Sequence, residues 1–169
     1  TVRFSGAEQV FHVGAGSVAV PGCLAGYLVI QSRWGRLPLA EVVAPALALA
    51  RHGVVLEPVQ AEVVRMLTDI FTLTPEGRRI FAPEGDLPSV GDLVRNLAYA
   101  DFLESVSAGQ VAGFHDPELT AAMRDAMSDG GLVTAADLAA YAPVDRVPLV
   151  TSYRGHRVVT NPPPSFGGS

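Results

Sequence analysis

Apolar residues along this chain fall mostly at helical spacing, punctuated by proline and glycine. Between residues 23 and 34, Leu24, Leu28, Ile30 and Trp34 suit a helical face better than strand alternation, and Gly35 stands where a helix would end. The pattern predicts a helix that is mostly buried. Pro38 and Pro45 each suit a first helical turn, where a missing N–H costs nothing, so two short helices are expected over 39–44 and 45–52, the second closed by Gly53. Pro58 repeats the device ahead of Val59, Val63, Met66, Leu67 and Ile70, whose spacing predicts one amphipathic helix. Residues 74–81 open a short turn or helix, whereas 83–91 hold too many turn residues to be regular. Residues 97–107 read as helical. Asp116 and Pro117 combine a capping side chain with a first-turn proline ahead of Leu119, Met123, Ala126 and Met127, and Gly130-Gly131 should stop that helix. Thr134 and Asp137 stand at capping-box spacing, with Asp in place of the usual Glu, at the start of a short helix running to Tyr141.

Strand signals are confined to the two ends. β-branched residues at 10–13 and 17–20 predict two short extended segments that stop at Pro21-Gly22. Residues 147–150 and 157–160 flank Tyr153-Arg154-Gly155-His156 and predict a hairpin turning at the glycine. There is no internal repeat, and no biased segment beyond the proline run at 162–164. The expected class is α+β, predominantly helical. Residues 1–169 read as a single partial domain truncated at both ends, because Thr1 suggests a boundary and the chain closes in the loop-like run 162–169.

Composition narrows the functional classes. The 169 residues are 49% hydrophobic, enough for one sizeable core. Seventeen acidic residues face twelve arginines and no lysine, a net charge of −5 with no basic block, which argues against a nucleic-acid partner. The longest apolar stretch, 37–50, is interrupted by Pro38, Glu41 and Pro45, so no membrane span is expected. Nor does the beginning of the sequence have the progression of a signal peptide. A single cysteine, Cys23, excludes an internal disulfide framework or a cysteine-rich zinc site.

Each candidate for chemistry has a plainer reading. Gly14-Ala15-Gly16-Ser17-Val18-Ala19 matches the G-x-G-x-x-A form of a dinucleotide fingerprint, but that device needs a helix starting inside it. Val18 to Gly22 favours an extended chain and a turn, so the glycines read as a tight connection and no cofactor is assigned. His12, His52, His115 and His156 are too far apart to pre-form a metal site. Cys23 could be a nucleophile beside a turn, yet free cysteines are more often small buried hydrophobes. No G-x-S-x-G elbow occurs. Thr1 could use its own α-amine as general base, but its position is read as an accident of the boundary.

Several of these segments, taken in order, resemble γ-glutamyltranspeptidases. Val20-Pro21-Gly22 with Ala25-Gly26 is similar to that family's V-P-G-x-x-A-G turn, and Arg33, Gly35-Arg36-Leu37-Pro38 to its R-x-G-R-L-P segment. Ala44-Pro45-Ala46 with Leu49-Ala50 and Gly53 follows A-P-A-x-x-L-A-x-x-G. Gly130-Gly131, Thr134, Asp137-Leu138-Ala139 and Tyr141 follow G-G-x-x-T-x-x-D-L-A-x-Y. Tyr153-Arg154-Gly155 and then Pro162-Pro163-Pro164-Ser165, Gly167-Gly168 resemble Y-R-G and P-P-P-S-S-G-G, with Phe166 in place of the second serine. The resemblance covers about residues 17–168 and is weaker between 56 and 95.

What it implies is an internal segment of the large subunit of an N-terminal nucleophile hydrolase of four-layer αββα fold. In that family a precursor cleaves itself, and the exposed threonine of the small subunit attacks the γ-glutamyl amide of glutathione or a related substrate. Water or an acceptor amine then resolves the acyl-enzyme, dividing one difficult displacement into two easier ones. The family's nucleophile lies beyond the P-P-P-S-S-G-G run, so Thr1 does not correspond to it. Its carboxylate-binding arginine lies before the V-P-G turn in a motif that the neighbours of Arg3 do not match, so Arg3 is not given that role. The expectation is therefore a segment with no catalytic, cofactor-binding or metal residue of its own, whose partners are the remaining large- and small-subunit segments and, for the parent enzyme, a γ-glutamyl small molecule. Two alternatives stand beside it: an N-terminal nucleophile amidohydrolase acting on another acyl amide, and a non-catalytic packing or interaction domain.

Overall fold

The computed structural model describes residues 1–4, 6–111, 113 and 116–165. His115, Phe166 and Gly167-Gly168, singled out above, lie outside the described residues. The chain is mainly helical, with three separate two-stranded antiparallel sheets.

The first sheet, β1 (Val2–Phe4) with β2 (Ala7–Gln9), is a short hairpin at the start that the sequence pattern did not suggest. The extended segments expected at 10–13 and 17–20 are not strands. Gly14 adopts φ +92°, a value favourable only to glycine, and the chain enters a 3-10 turn at Ala15–Ser17, whose Ser17 hydroxyl donates to the Gly14 carbonyl. Helix α1 (Cys23–Trp34) follows, ending at Gly35 as expected. It is not buried within this chain: Tyr27, Ile30 and Trp34 are each more than half exposed.

Residues 39–52 form one helix, α2 (Leu39–His52), where two were expected. Pro45 sits inside it. Proline already has a helical φ, so its cost is the lost N–H bond to the Glu41 carbonyl and the crowding of that carbonyl by its ring, both on the exposed side of the helix. A continuous α2 can then pack along α6 (Leu97–Ser107), which supplies Ala100, Leu103 and Val106 to the core. Between them Gly53, at φ +94°, turns the chain into β3 (Val54–Val55), which pairs with β4 (Leu93–Val94). The connection holds three helices: α3 (Pro58–Met66), α4 (Thr68–Phe71) and α5 (Pro75–Phe81). The single helix expected after Pro58 breaks at Leu67. The Thr68 hydroxyl donates to the Arg65 carbonyl at 2.6 Å and competes with the helical ladder there.

Asp116 caps α7 (Pro117–Ala126), accepting from the Leu119 amide at 2.7 Å. Thr134 and Asp137 form the reciprocal capping box that opens α8 (Ala135–Ala140). Leu138, on α8, is almost fully buried. The chain then forms the expected hairpin, β5 (Leu149–Tyr153) and β6 (His156–Thr160). Arg154 and Gly155 both have positive φ, as a two-residue type I′ turn requires.

Candidate functional site

Among the described residues, those weighed for chemistry do not assemble. Thr1 is exposed at the start of the chain, and Arg3 is paired with Glu8 at 2.7 Å across the first hairpin. Cys23 occupies the first position of α1 and is exposed, contrary to the expectation of a buried apolar role; the turn at Pro21-Gly22 leaves it facing outward. No α-helix starts inside the Gly14–Ala19 fingerprint, since the 3-10 turn gives way to extended backbone at Val18. Among the described residues no three His, Cys, Asp or Glu side chains come together to hold a metal. Among the described residues three groups have displaced pKa values, each for a local reason. Hydrogen bonds from Arg65 hold the Glu62 carboxylate below its ordinary value and raise Arg65 in turn. The Thr134 hydroxyl, then its backbone N–H, lowers Asp137. All three groups are solvent-exposed and each shift comes first from a partner three residues away, not from burial in an enclosed site, which is where displaced titrations would point to catalysis.

What the structure does bring together are the motif segments themselves. A Cβ added to Gly16 would lie 3.1 Å from the Gly130 carbonyl oxygen, so the first glycine-rich turn is seated against the Gly130-Gly131 turn. Gly22, the glycine of the V-P-G turn, is buried under the Tyr141 ring, and a Cβ there would fall 1.9 Å from Tyr141 Cζ and Oη. At the other end of α1, Arg33 Nη1 donates to both carboxylate oxygens of Asp145, at 2.9 and 2.7 Å. Trp34 and Ile30 share a cleft of about 620 Å³ with Arg146, Asn161, Pro162 and Pro164, so the arginine-glycine segment meets the proline run.

A second junction joins α2 to the segment before α6. Asn96 N–H donates to the Ala50 carbonyl at 3.0 Å, and Arg95 Nε to the His52 carbonyl at 3.1 Å. Arg51 Nη2 reaches Asp101 and Glu104 at 3.0 and 2.9 Å. A Cβ on Gly53 would fall 2.7 Å from Leu93 Cγ, so this position needs glycine for space as well as for its φ. Sequence reasoning singled out Gly16, Gly22, Arg33, Gly53, Gly130 and Tyr141 but neither their partners Asp145 and Leu93 nor the Arg51–Asp101 pair, because residues 40 to 119 positions apart leave no local signal. An exposed ion pair adds little stability, so these arginines act as registers between segments rather than as anchors.

No helix among the described residues is long and apolar enough to cross a membrane. The arrangement positions turns and helix starts against one another.

Comparison with known proteins follows the same motifs. The family model described as gamma-glutamyltranspeptidase matches residues 2–169. The glutathione hydrolase proenzyme of Escherichia coli (strain K12) is 32% identical over 159 residues, covering 93% of this chain and 27% of that protein. The acylase ACY 1 proenzyme of Pseudomonas sp. (strain SE83) is 36% identical over 157 residues, covering 92% of this chain and 28% of that protein. The crystal structure of Helicobacter pylori gamma-glutamyltranspeptidase superposes with a TM-score of 0.83 at 30% identity, over 92% of this chain and 45% of that one. Cephalosporin acylase from Bacillus halodurans superposes with a TM-score of 0.74 at 31% identity, over 89% of this chain and 30% of that one. The chain thus spans little more than a quarter of the length of the curated relatives it matches. Its helices and short sheets are a portion of the α+β N-terminal nucleophile hydrolase architecture. With a family model matched from residue 2 to the end and its motif segments packed against one another, the chain belongs to the γ-glutamyltranspeptidase family.

Proposed function

We propose that this chain is an internal, structural segment of a large subunit, in an enzyme that cleaves γ-glutamyl amides such as glutathione through an acyl-enzyme, by transfer or hydrolysis. The observation that carries the reading is the family match over residues 2–169, joined to the packing of the motif glycines: Gly16 on Gly130, Gly22 on Tyr141. In this reading the segment is inert by itself. Its residues hold turns and helix starts in register, and the nucleophile and the carboxylate-binding arginine belong to other segments of the parent enzyme.

A chromogenic γ-glutamyl anilide tests it. The longer polypeptide containing this chain is expected to release the chromophore, and this chain alone to match a heat-killed control. Turnover by the chain alone that Thr1→Ala abolishes would overturn the assignment of Thr1 as a bystander.

A second substrate class is favoured by the likeness to the Pseudomonas acylase at 36% identity and to the Bacillus halodurans cephalosporin acylase. There the same acyl-enzyme chemistry would act on another acyl amide. Offering the longer polypeptide a γ-glutamyl anilide and a cephalosporin side-chain amide in parallel separates the two by their ratio of kcat/KM.

A further inference from the structure

Asp129 is followed by Gly130, and no other aspartate or asparagine in the sequence precedes a glycine. The difference is chemical. A side-chain carboxyl of this length can be attacked by the main-chain nitrogen of the next residue, closing a small ring. A side chain on that next residue shields the nitrogen, and glycine has none.

The structure sets the pair where this attack is open. It lies in the turn between α7 and α8, where Ser128, Asp129 and Gly130 are all exposed. Among the described residues the Asp129 carboxylate has no hydrogen-bond or ion-pair partner, and neither has the Gly130 N–H. A Cβ added to Gly130 would meet nothing within 4 Å, so no neighbour crowds the residue. Other aspartates are tied down: Asp92, Asp116 and Asp137 accept from main-chain amides, and Asp101 and Asp145 from arginines. Across Asp129 the turn is closed by one backbone bond, from the Gly131 N–H to the Met127 carbonyl at 3.0 Å. A bond in an exposed turn opens at little cost.

We propose that Asp129-Gly130 is a site of spontaneous modification, at which the folded protein forms isoaspartate through a cyclic succinimide. The Gly130 nitrogen bonds to Asp129 Cγ; the Cγ–O bond breaks, and the amide proton leaves with the carboxyl O–H as water. Water then reopens the ring. Cleavage at Cγ–N restores aspartate. Cleavage between the Asp129 main-chain carbonyl carbon and the nitrogen leaves the chain running through Cβ and Cγ, with the former carbonyl as a free carboxylate. The water lost on closure is regained on opening, and nothing is oxidised or reduced. The product places an extra methylene in the main chain beside Gly130, whose carbonyl oxygen is the atom seated against Gly16. Ageing at this turn therefore loosens the contact between the two glycine turns. The proposal is independent of the parent enzyme's activity.

The longer polypeptide containing this chain tests it, aged in neutral buffer under conditions where circular dichroism shows it folded throughout, beside a sample aged in urea. Isoaspartate is counted by enzymatic methylation of its free carboxylate and located by fragment-ion mass spectrometry. It is expected to accumulate at Asp129 ahead of every other aspartate, within about tenfold of the rate in urea, because exposed turns open at close to no cost. Asp129→Glu needs a larger ring that closes slowly, and is expected to lose the signal at this position. Asp129→Asn closes the same ring with ammonia as leaving group, and is expected to gain it faster. A folded rate more than about tenfold below that in urea would overturn the proposal. So would equal accumulation at the other aspartates of the folded protein, or an Asp129→Asn variant that stays unmodified.

Discussion

Gly22→Ala is the sharpest test of how the motif segments are held together. Gly22 has φ −74° and ψ −2°, ordinary right-handed backbone, so alanine brings no conformational strain there. It also removes freedom from the unfolded chain, which by itself stabilises by about 0.4–1 kcal/mol. The opposing effect is steric. The new Cβ would lie 1.9 Å from Tyr141 Cζ and Oη and 2.5 Å from Cε2, against a contact distance of about 3.5–4.0 Å between carbons. The Tyr141 ring must swing aside, and overpacking of this kind costs about 1–3 kcal/mol. The clash outweighs the gain, leaving a net loss of up to about 2.6 kcal/mol, or up to about 10 °C in Tm for a chain of this size. Thermal unfolding followed by circular dichroism measures it, in a cycle with Tyr141→Ala. With the ring gone, Gly22→Ala is expected to be neutral or slightly stabilising, so the two changes couple by at least about 1 kcal/mol. Equal effects of Gly22→Ala with and without the ring, or stabilisation by Gly22→Ala in the native background, would refute the contact.

Two further outcomes follow from the same structure. Thr134→Ala removes the one hydroxyl that both accepts from the Asp137 amide at 3.2 Å and donates to the Asp137 carboxylate at 2.7 Å, at a cost of about 1 kcal/mol to the start of α8. Because folding lowers the Asp137 pKa, its contribution is complete above the ordinary aspartate value and is lost as pH falls through the lowered one. A carboxyl NMR titration is expected to show Asp137 returning toward its ordinary value in Thr134→Ala, and an unchanged midpoint would contradict the capping box as its cause. This chain, separated from any longer polypeptide, is also expected to bind a hydrophobic dye and to self-associate, since Val147, Val59 and Leu132 are each more than 70% exposed. A clean monomer on solution sizing that binds no dye counts against the uncovered area.

Local chemistry was legible wherever one or two adjacent residues decide the structure. Asp116-Pro117, Thr134 with Asp137, Gly35 and the Arg154-Gly155 turn are caps and turns whose geometry is set within four residues, and they stand where the sequence placed them. The errors arose where a distant contact overrode the local signal. Pro45 reads as a helix start, yet packing of α2 along α6 keeps the helix continuous through it. Val10 to Val13 read as an extended segment from β-branched content, but among the described residues no strand pairs with them, and they form none. Helix α1 reads as buried because Leu24, Leu28, Ile30 and Trp34 suit one helical face; in this chain Ala25, Leu28 and Val29 border Tyr141 and Val106 across a cleft, while Tyr27, Ile30 and Trp34 are exposed.

The sequence by itself determined the caps, the turns, the hairpin and, through the order of its motifs, the family. Only the tertiary structure decided what the motif segments touch: Gly22 meets Tyr141 of another motif, Arg33 meets Asp145, and Arg51 meets Asp101 and Glu104. The reason is physical. A cap or a tight turn is fixed by backbone angles and one hydrogen bond within a few residues, whereas contacts across 50 to 119 positions depend on how whole helices pack, and no local spacing encodes that.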